Sequence, residues 1–261
     1  MAFLAALVTA AAARPAAALE CRALSHRGAD FTVCRADAGQ DDLRLFLNDP
    51  RSGAPLGSFA NLEAMLAARG LRLAFAMNAG MYHPDRRPVG LYVEDGIELA
   101  PLVTSAGPGN FGLLPNGVFC IGAGWARVVE TKTYLRERPD CRYATQSGPM
   151  LVIDGALHPR FLRDSDSRYV RNGVGTSGDG RTVWFAISER PVNFHLFARL
   201  FRDRLGARQA LYLDGKISRL YAPELGRQDG GLPMGPIVGA VAPATGAATG
   251  AATGAATGAG D

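Results

Sequence analysis

The chain has 261 residues, of which 48% are hydrophobic and 20% charged, and its formal net charge is +4. This length suits one large domain or two small ones, and the apolar fraction is typical of a globular protein with a buried core. The basic residues are scattered, which argues against a nucleic-acid-binding protein but permits an anionic ligand. The 32 glycines and 16 prolines favour a turn-rich mixture of strands and helices over a helical bundle.

The N-terminal residues 1–18 are nearly all small or apolar and end in three alanines, Ala16–Ala18. This pattern is typical of an export signal with a small-residue cleavage site. Arg14 interrupts the apolar run, so no stable membrane span is expected. The sequence therefore predicts a periplasmic or secreted protein whose folded part begins near residue 19.

Strands and one helix are predicted next. Residues 31–36 and 43–47 alternate between apolar and polar side chains, as strands do. A helix is expected from Asn61, a good N-cap residue, up to Gly70, and a buried strand at 71–77 follows it.

Hairpins are predicted through the middle of the chain, because turn dipeptides separate short apolar runs. The turns lie at Asp95-Gly96, Gly122–Gly124, Asp154-Gly155 and Asp179-Gly180. The last of these precedes a strand-like run at 182–188.

A second helix is predicted from Asn193 to Gly206, because phenylalanine and leucine recur at helical spacing. Strands at 210–214 and 237–241 follow, and residues 244–261 repeat Ala-Thr-Gly-Ala, which predicts a disordered tail. We therefore predict a single α+β domain over residues 19–243, with mixed, largely antiparallel sheets packed with a few helices.

Four cysteines, an even number, fit two disulfides in an oxidising compartment. Pairing in sequence order joins Cys21 to Cys34 and Cys120 to Cys141, and each pair then flanks a short stretch that can form a hairpin or loop. The two other connectivities and four buried thiols are the alternatives. No C-x-x-C spacing indicates zinc ligands.

Three polar clusters stand where apolar runs end, and each is rich in small residues that let a ligand approach the backbone. They are MNAGMY (77–82), ATQSGPMLVIDG (144–155) and ALYLDGKIS (210–218). Catalytic groups usually lie on loops held by a rigid scaffold. We expect the fold to bring these strand ends together into one site.

Asp214 is the sharpest catalytic candidate, because the preceding Ala-Leu-Tyr-Leu would hold its carboxylate at the end of a buried strand. Burial raises the pKa of a carboxyl group and a neighbouring cation lowers it, so such a group can be tuned for acid–base chemistry. The alternative is an ordinary turn residue, because Asp95, Asp154 and Asp179 also precede glycine.

Arg171 lies in YVRNGVG, between apolar residues typical of a strand. An unpaired arginine is costly to bury, so its partner is expected to be a protein carboxylate or a bound phosphate. The amides of Asn78, Asn110 and Gln146 suit sugar hydroxyls and phosphate oxygens, or alternatively stabilise turns.

Cofactor motifs are weak in this chain. Gly107–Gly112 matches G-x-G-x-x-G, but Pro108 lies inside it and no helix is expected after it, so a glycine-rich loop is predicted instead of a dinucleotide site. There is no P-loop, H-E-x-x-H or G-x-S-x-G, and the four histidines lack ligand-like spacing. No cofactor is predicted, with a divalent metal as the alternative.

Six segments together resemble the bacterial exported branch of the phosphodiester glycosidase family. In order they are MNAGMYHPDRRPVGLYVEDG, GNFGLLPNGVF, ATQSGPMLVIDG, RNGVG, PVNFHLFARLFRD and ALYLDGKIS. The resemblance covers residues 21–241. It implies a domain of mixed strands and helices that hydrolyses a small-molecule or glycan sugar-1-phosphodiester to free sugar and a phosphomonoester.

The resemblance also implies the site. Asp214 and Arg171, which match the family's Leu-Asp-Gly-Gly segment and strand-opening arginine, are predicted to be catalytic. The predicted substrate-binding residues are Asn78, Gly80, Asn110, Gln146, Ser147, Gly148, Gly215, Lys216 and Ser218. Two departures from the family pattern are Ala79, in place of a glycine, and Lys216-Ile217, in place of small residues.

The chemistry requires stabilisation of the departing phosphate and activation of water. Arg171, backbone amides and Lys216 are predicted for the first task, and Asp214 for the second, as general base or as stabiliser of an oxocarbenium-like transition state. Asp154 and Glu189 are candidates for a second carboxylate.

Two other functions remain open from the sequence. One is a metal-assisted phosphoesterase in which Asp214, Asp154 and amides hold a hard cation. The other is a secreted carbohydrate- or sugar-phosphate-binding module without turnover, which the departure at Lys216 permits.

Overall fold

The computed structural model describes residues 19–244. The predicted export signal, and the predicted tail apart from Ala244, lie outside the described residues. The strands are β1 (Glu20–His26), β2 (Ala29–Asp37), β3 (Asp42–Phe46), β4 (Leu71–Asn78), β5 (Tyr92–Glu94), β6 (Ile97–Ala100), β7 (Gly117–Gly122), β8 (Trp125–Glu130), β9 (Tyr143–Ser147), β10 (Met150–Ile153), β11 (Ala156–Leu157), β12 (Asn172–Thr176), β13 (Thr182–Ser188), β14 (Gln209–Asp214), β15 (Leu220–Ala222), β16 (Arg227–Gln228) and β17 (Ile237–Pro243). The helices are α1 (Phe59–Ala67), α2 (Thr131–Glu137) and α3 (Phe194–Arg199), with a π-helical turn at Leu200–Arg204 and a 3₁₀ turn at Pro223–Leu225.

The strands form three sheets. The seven-stranded sheet has the order β1-β2-β13-β12-β14-β10-β11, and the two five-stranded sheets have the orders β16-β15-β4-β17-β3 and β6-β5-β9-β7-β8. Neighbouring strands run antiparallel in all three. The predicted α+β class, with largely antiparallel sheets and a few helices in a single domain, is confirmed.

One aromatic cluster marks the centre of the core. Phe185 of β13 has its ring centroid 4.8 Å from that of Phe75 on β4 and 5.8 Å from that of Phe119 on β7. Each ring comes from a different sheet, and all three are fully buried. The inner faces of the three sheets therefore share one core, which fixes the positions of the strand ends around it.

The helices cover outer faces of the sheets. Phe197 and Phe201, four residues apart, pack against the seven-stranded sheet, and Leu62 and Leu66 of α1 pack against the β4 sheet. The predicted apolar stripe of the second helix is therefore core packing. Its end at Gly206 (φ +69°) is also as predicted, because glycine adopts positive φ without strain.

Some element boundaries differ from the prediction. Helix α1 begins three residues earlier than expected, because Ser58 and not Asn61 caps it, with Ser58 Oγ accepting from the amide of Asn61 at 3.2 Å. The Asn61 side chain donates instead to the carbonyl of Leu56 at 2.7 Å. Strands β1 and β9 and helix α2 were not predicted. Every residue of β9 is buried, polar ones included, so its sequence lacks apolar–polar alternation.

Two predicted Asp-Gly hairpin turns are confirmed. Asp95 and Gly96 join β5 to β6, and Asp154 and Gly155 join β10 to β11. Both residues of each turn have positive φ, between 48° and 82°. This backbone is the one that Asp-Gly tolerates in two-residue hairpin loops.

The cysteines pair in sequence order, as predicted. Cys21 and Cys34 face one another on β1 and β2, and Cys120 of β7 pairs with Cys141, just before β9. Each bridge closes a short stretch of chain within or beside a sheet. Residues 19–244 contain no helix long and apolar enough to cross a membrane.

Candidate active site

The three polar clusters meet in the structure. Asn78 at the end of β4 donates its Nδ2 to Oδ1 of Asn172, which opens β12, over 3.1 Å. The backbone amide of Asp214, at the end of β14, donates to the same oxygen over 3.0 Å. Ser147 at the end of β9 donates its hydroxyl to the carbonyl of Leu213 over 2.9 Å. The expected convergence of these strand ends is confirmed.

A cleft of about 960 Å³ opens beside this junction. Its walls come from residues within 81–89, 108–111, 167–169 and 212–217, with Leu232 at one edge. Among the described residues that line it, Asp214 is the one carboxylate, while Arg86 and Lys216 are cationic. A cleft with this charge balance suits an anionic ligand.

Asp214 is held by backbone amides. Its Oδ1 accepts from the amides of Gly215 at 2.6 Å and Lys216 at 2.9 Å, and the residue is 8% exposed. No side chain of residues 19–244 donates a hydrogen bond to its carboxylate. Burial raises the pKa of Asp214, opposed by these amides and by the charge of Lys216. A carboxylate held this way can accept a proton from a molecule in the cleft.

Gly215 is fixed by a close contact with Tyr212. A Cβ at position 215 would lie 2.0 Å from the hydroxyl oxygen of Tyr212, so any larger residue would displace that ring or the loop. Burial raises the pKa of Tyr212, which remains a neutral phenol facing the cleft. The hydroxyl of Tyr212 is therefore packed against the backbone at Gly215, next to the Asp214 carboxylate.

Arg171 lies behind the cleft wall and does not line it. Its guanidinium carbon lies 3.6 Å from the ring centroid of Phe194 and 5.3–5.4 Å from those of Tyr169 and Tyr212. Nε donates to the carbonyl of Val192 at 2.8 Å, and Nη2 donates to that of Ser167 at 2.9 Å.

The expected anionic partner of Arg171 is not present among residues 19–244, where carbonyls and aromatic faces take its place. Burial lowers the pKa of the guanidinium, and Nη1 is buried without a partner in the same range. The predicted carboxylate partner is therefore not found among these residues, and carbonyls and aromatic faces contact the cation in its place. The predicted phosphate partner stays a prediction.

Gln146 uses its whole amide within the protein. Its Oε1 accepts from the amides of Leu91 at 3.1 Å and Val103 at 3.0 Å, and Nε2 donates to the Val103 carbonyl at 2.6 Å and to Thr131 Oγ1 at 3.1 Å. Ser147 is likewise buried and bonded to β14. These predicted substrate-binding residues join strands and loops, and they do not line the cleft.

Four other predicted residues support the junction from behind. Asn78 Oδ1 accepts from the amide of Arg219 at 2.9 Å, and the Ser218 hydroxyl donates to the carbonyls of Val170 at 2.9 Å and Asp214 at 3.0 Å. Gly80 and Gly148 fit tight spaces, since a Cβ would lie 3.0 Å from Thr145 Oγ1 and 2.6 Å from Asn116 Cβ, respectively. Of the predicted binding residues, Asn110, Gly215 and Lys216 line the cleft.

Neither candidate for a second carboxylate lies in the cleft. Asp154 is exposed at the β10–β11 turn, where Gln209 donates to it at 3.0 Å. Glu189 pairs with Arg227 at 2.7 Å. Asp154 lies beside Gln209 at the start of β14, whereas Asp214 ends that strand, so the two carboxylates do not meet. Residues 19–244 hold no group of three or more His, Cys, Asp or Glu that could bind a metal.

Sequence reasoning missed Asn172, the residue that joins three strands at the junction. Its Oδ1 accepts from Asn78 and Asp214, and its Nδ2 donates to the carbonyl of Asn78 at 2.8 Å. It also missed Tyr82, Tyr169 and Tyr212 as cleft residues. Asn172 follows Arg171 in the YVRNGVG motif. A polar residue at the start of a buried strand was the sequence signal that could have identified it.

The strand ends of this α+β architecture therefore build a cleft whose described lining residues include one buried aspartate and two cationic side chains. The chain belongs to the phosphodiester glycosidase family, whose sequence model matches residues 72–231. It is 35% identical over 170 residues to the uncharacterized protein YigE of Escherichia coli K12. That alignment covers 65% of this chain and 66% of YigE, just under two thirds of the relative's length.

Solved structures share the fold. The catalytic domain of zebrafish N-acetylglucosamine-1-phosphodiester alpha-N-acetylglucosaminidase, auto-inhibited by its pro-peptide, superposes with a TM-score of 0.56 at 14% identity, covering 85% of this chain and 81% of that one. A protein of Burkholderia pseudomallei K96243, described as exported, superposes with a TM-score of 0.53 at 13% identity, covering 81% and 74%. At such identities the likeness establishes the fold.

Proposed function

We propose that this protein is an exported hydrolase that cleaves a glycosyl phosphodiester into free sugar and a phosphomonoester. The observation that carries the proposal is the buried carboxylate of Asp214, the one carboxylate among the described residues that line the cleft, together with Arg86 and Lys216 in the same lining. The family assignment gives the reaction class, and the zebrafish enzyme is named for an N-acetylglucosamine-1-phosphodiester substrate.

In the proposed reaction, water attacks the anomeric carbon of the sugar while the bond from that carbon to the phosphate oxygen breaks. The electron pair of that bond leaves with the phosphate, which becomes a phosphomonoester, and Asp214 accepts the proton of the attacking water. A phosphate is a good leaving group, so one carboxylate is enough and no acid is needed opposite it.

Lys216 and Arg86 stabilise the departing phosphate in this proposal, because cations placed where charge develops lower the barrier. Arg171 was predicted to contact the phosphate directly. Its place behind Tyr169 and Tyr212 supports a positioning role instead: it fixes the two aromatic side chains that face the cleft.

Export is part of the proposal. The two disulfides are typical of proteins that fold in an oxidising compartment. The Burkholderia protein that shares the fold is described as exported.

The test is incubation of the purified protein with UDP-N-acetylglucosamine and simpler N-acetylglucosamine-1-phosphodiesters in oxygen-18 water, with and without a chelator. We expect free sugar and a phosphomonoester without oxygen-18, because the carbon–oxygen bond breaks. Oxygen-18 in the phosphomonoester together with chelator sensitivity would establish the metal-assisted phosphoesterase instead. Saturable binding without product, in folded protein supplied with metal, would establish a binding module.

Lys216→Ala tests the phosphate contact. Because this exposed cation is proposed to contact the bound diester and to stabilise the departing phosphate, its loss should raise KM about tenfold and also lower kcat. An unchanged KM would remove Lys216 from the site.

A further inference from the structure

A second pocket, of about 230 Å³, lies outside the cleft and carries a dense positive charge. It is lined by Arg27, Arg163, Arg168, Asn193, His195, Leu196 and Arg199. We call it the arginine pocket. Four arginines and a histidine line it, and none of the described residues in its wall is a carboxylate.

The carboxylate of Asp203 lies beside this cluster but does not neutralise it. Asp203 bonds to Arg199 at 2.6 Å and to Arg202 at 2.7 Å, and it lies 3.9 Å from Arg27. Within residues 19–244, neither Arg163 nor Arg168 takes part in an ion pair. Asp164 and Asp166 lie in the same 163–168 segment, but neither lines the pocket, and neither forms an ion pair within residues 19–244. The positive charge is therefore concentrated in the lining of the pocket and not along the segment as a whole.

The imidazole of His195 lies among the positive charges of the arginine pocket. Burial lowers the pKa of its imidazole, and Arg199, Arg163 and Arg202 lower it further, in that order, while Asp164 opposes them with a smaller effect. A bound anion would oppose this lowering, because a nearby negative charge favours the protonated ring.

The arginine pocket and the cleft share a wall. Ser167 and Tyr169 line the cleft, whereas Arg168 between them lines the arginine pocket. The Tyr169 amide bonds to the Val192 carbonyl at 3.2 Å, which holds the segment extended, and side chains alternate between faces in extended chain. Adjacent Cα atoms are about 3.8 Å apart, so one residue separates the two sites.

The wall is held rigidly on the side of the arginine pocket. Asn193 donates its Nδ2 to the carbonyls of Arg163 at 2.9 Å and Ser165 at 3.2 Å, while its Oδ1 caps α3 through the amide of Leu196 at 2.9 Å. Arg171 donates to the carbonyl of Ser167 on the other side. The arginines therefore stand on an anchored segment.

We propose that the arginine pocket binds a second phosphate group of the substrate, so that the protein acts on ligands carrying at least two phosphates, one of them in the cleft. The proposal rests on the function proposed above for the cleft. Arginine suits this ligand because its planar fork bonds phosphate oxygens in pairs. The small volume admits a phosphate group, and its place one residue from the cleft suits a neighbouring phosphate on the same molecule.

Binding of inorganic phosphate gives the first test, and it needs no turnover. The chain has four histidines, of which His83 lines the cleft and His195 the arginine pocket, so their imidazole NMR signals report the two sites separately. At constant ionic strength, phosphate should shift the His195 signals saturably. In Arg163→Gln/Arg168→Gln the apparent Kd should rise about tenfold or more.

The matched control is Arg51→Gln/Arg69→Gln, which removes the same charge from exposed positions outside both pockets. It should bind phosphate like the wild type. A His195 signal that does not saturate, or one that weakens equally in both double variants, overturns the site, because the effect would then be general electrostatics.

A longer ligand tests the link between the two pockets. Asp214→Asn protein is titrated with an N-acetylglucosamine 1-phosphodiester and with a synthetic dimer of it that carries two phosphodiesters. We expect the dimer to shift His83 and His195 with one common Kd, about tenfold below that of the monomer, and the Arg163/Arg168 change to abolish this advantage. If phosphate binds at His195 but the dimer has no advantage, the pocket takes free phosphate and the proposal is wrong.

Failure of the proposed function is distinguishable from failure of this inference. Absence of turnover on all diesters counts against the hydrolase, while the His195 titrations still decide whether the arginine pocket binds phosphate.

Discussion

The cleft wall and the polar layer behind it are built from the same kinds of residue at the same strand ends, yet their polar groups are used differently. In the layer behind, Gln146 makes four hydrogen bonds to the protein and Asn78 is shared between Asn172 and Arg219. At the wall, the carboxylate of Asp214 accepts hydrogen bonds from backbone amides only, and Lys216 is exposed.

The difference shows that a polar residue at a strand end is a site residue only if its hydrogen-bonding capacity is left for a ligand. Buried amides must be satisfied, so those that the fold satisfies itself stabilise the scaffold. Changes behind the wall should therefore affect the free energy of unfolding, and changes at the wall should affect turnover.

Asp214→Asn should have the largest effect. The amide keeps the shape and one acceptor oxygen but neither the charge nor the basicity, so kcat/KM for diester hydrolysis should fall about 10²–10³-fold or more. The melting temperature should change little. The measurement is free-sugar release together with thermal unfolding.

Asp154→Asn is the matched control, because Asp154 is exposed at a turn with φ +48°, which asparagine also tolerates. Its turnover should equal that of the wild type. Near-normal turnover in folded Asp214→Asn would remove the assigned base from the mechanism.

Gln146→Met should have the next largest effect, on stability. Methionine keeps the volume but leaves the amides of Leu91 and Val103 and the carbonyl of Val103 without their partner. Each buried unpaired group costs about 1–3 kcal/mol, so the free energy of unfolding should fall by about 3 kcal/mol. Urea unfolding measures it.

The control for that change is Gln209→Met, since Gln209 bonds to the exposed Asp154 at the surface. It should lose less than about 1 kcal/mol. If the folded fraction of Gln146→Met loses turnover as severely as Asp214→Asn, Gln146 contacts substrate and the division between wall and scaffold is wrong.

Arg171→Lys should produce a mixed effect, because Arg171 bonds scaffold carbonyls and packs on the cleft aromatics Tyr169 and Tyr212. The ammonium group of lysine cannot reproduce the paired hydrogen bonds of the planar guanidinium or its stacking on aromatic rings. The free energy of unfolding should fall by about 2 kcal/mol, and kcat/KM should fall only about tenfold.

A loss of 10²–10³-fold in Arg171→Lys at unchanged stability would instead restore the direct phosphate contact that the sequence predicted. Arg190→Lys, at an exposed position, provides the comparison and should behave as the wild type in both measurements.

Local signals made the hairpins, helices α1 and α3 and the disulfide pairing predictable from the sequence. The Asp95-Gly96 dipeptide predicts the β5–β6 turn because both residues tolerate positive φ. The apolar stripe containing Phe197 and Phe201 predicts the helix that begins with α3. Strand β9 was not predictable in this way, because Thr145 and Gln146 are polar yet buried by partners elsewhere in the chain.

The site was predictable as a convergence of clusters and only in part as a residue set. Asp214 and Lys216 were named and line the cleft, whereas Gln146 and Ser147 were named and face the scaffold. Residue type and spacing cannot distinguish these cases, because the partners that occupy an amide come from distant segments. The arginine pocket was missed because its arginines are scattered over residues 27–199 and converge only in the fold.

The smallest predicted effect is the pH dependence that Asp214 gives to stability. Burial raises its folded pKa above the ordinary value of 3.8, so the folded protein binds this proton more tightly than the unfolded chain does. Relative to Asp214→Asn, the wild type should therefore lose stability as pH rises from about 3.8 through the folded pKa, by about 1.4 kcal/mol per unit of pKa shift, and change no further above it. Urea unfolding of both proteins across this range measures the difference, and kcat/KM should rise over the same interval because the ionised form is the base.

Lys216→Ala should move both transitions to higher pH, since the charge of Lys216 opposes the upward shift of the Asp214 pKa. A stability difference that instead grows in favour of the wild type with rising pH would mean that the carboxylate is paired, and Asp214 would then belong with the scaffold residues.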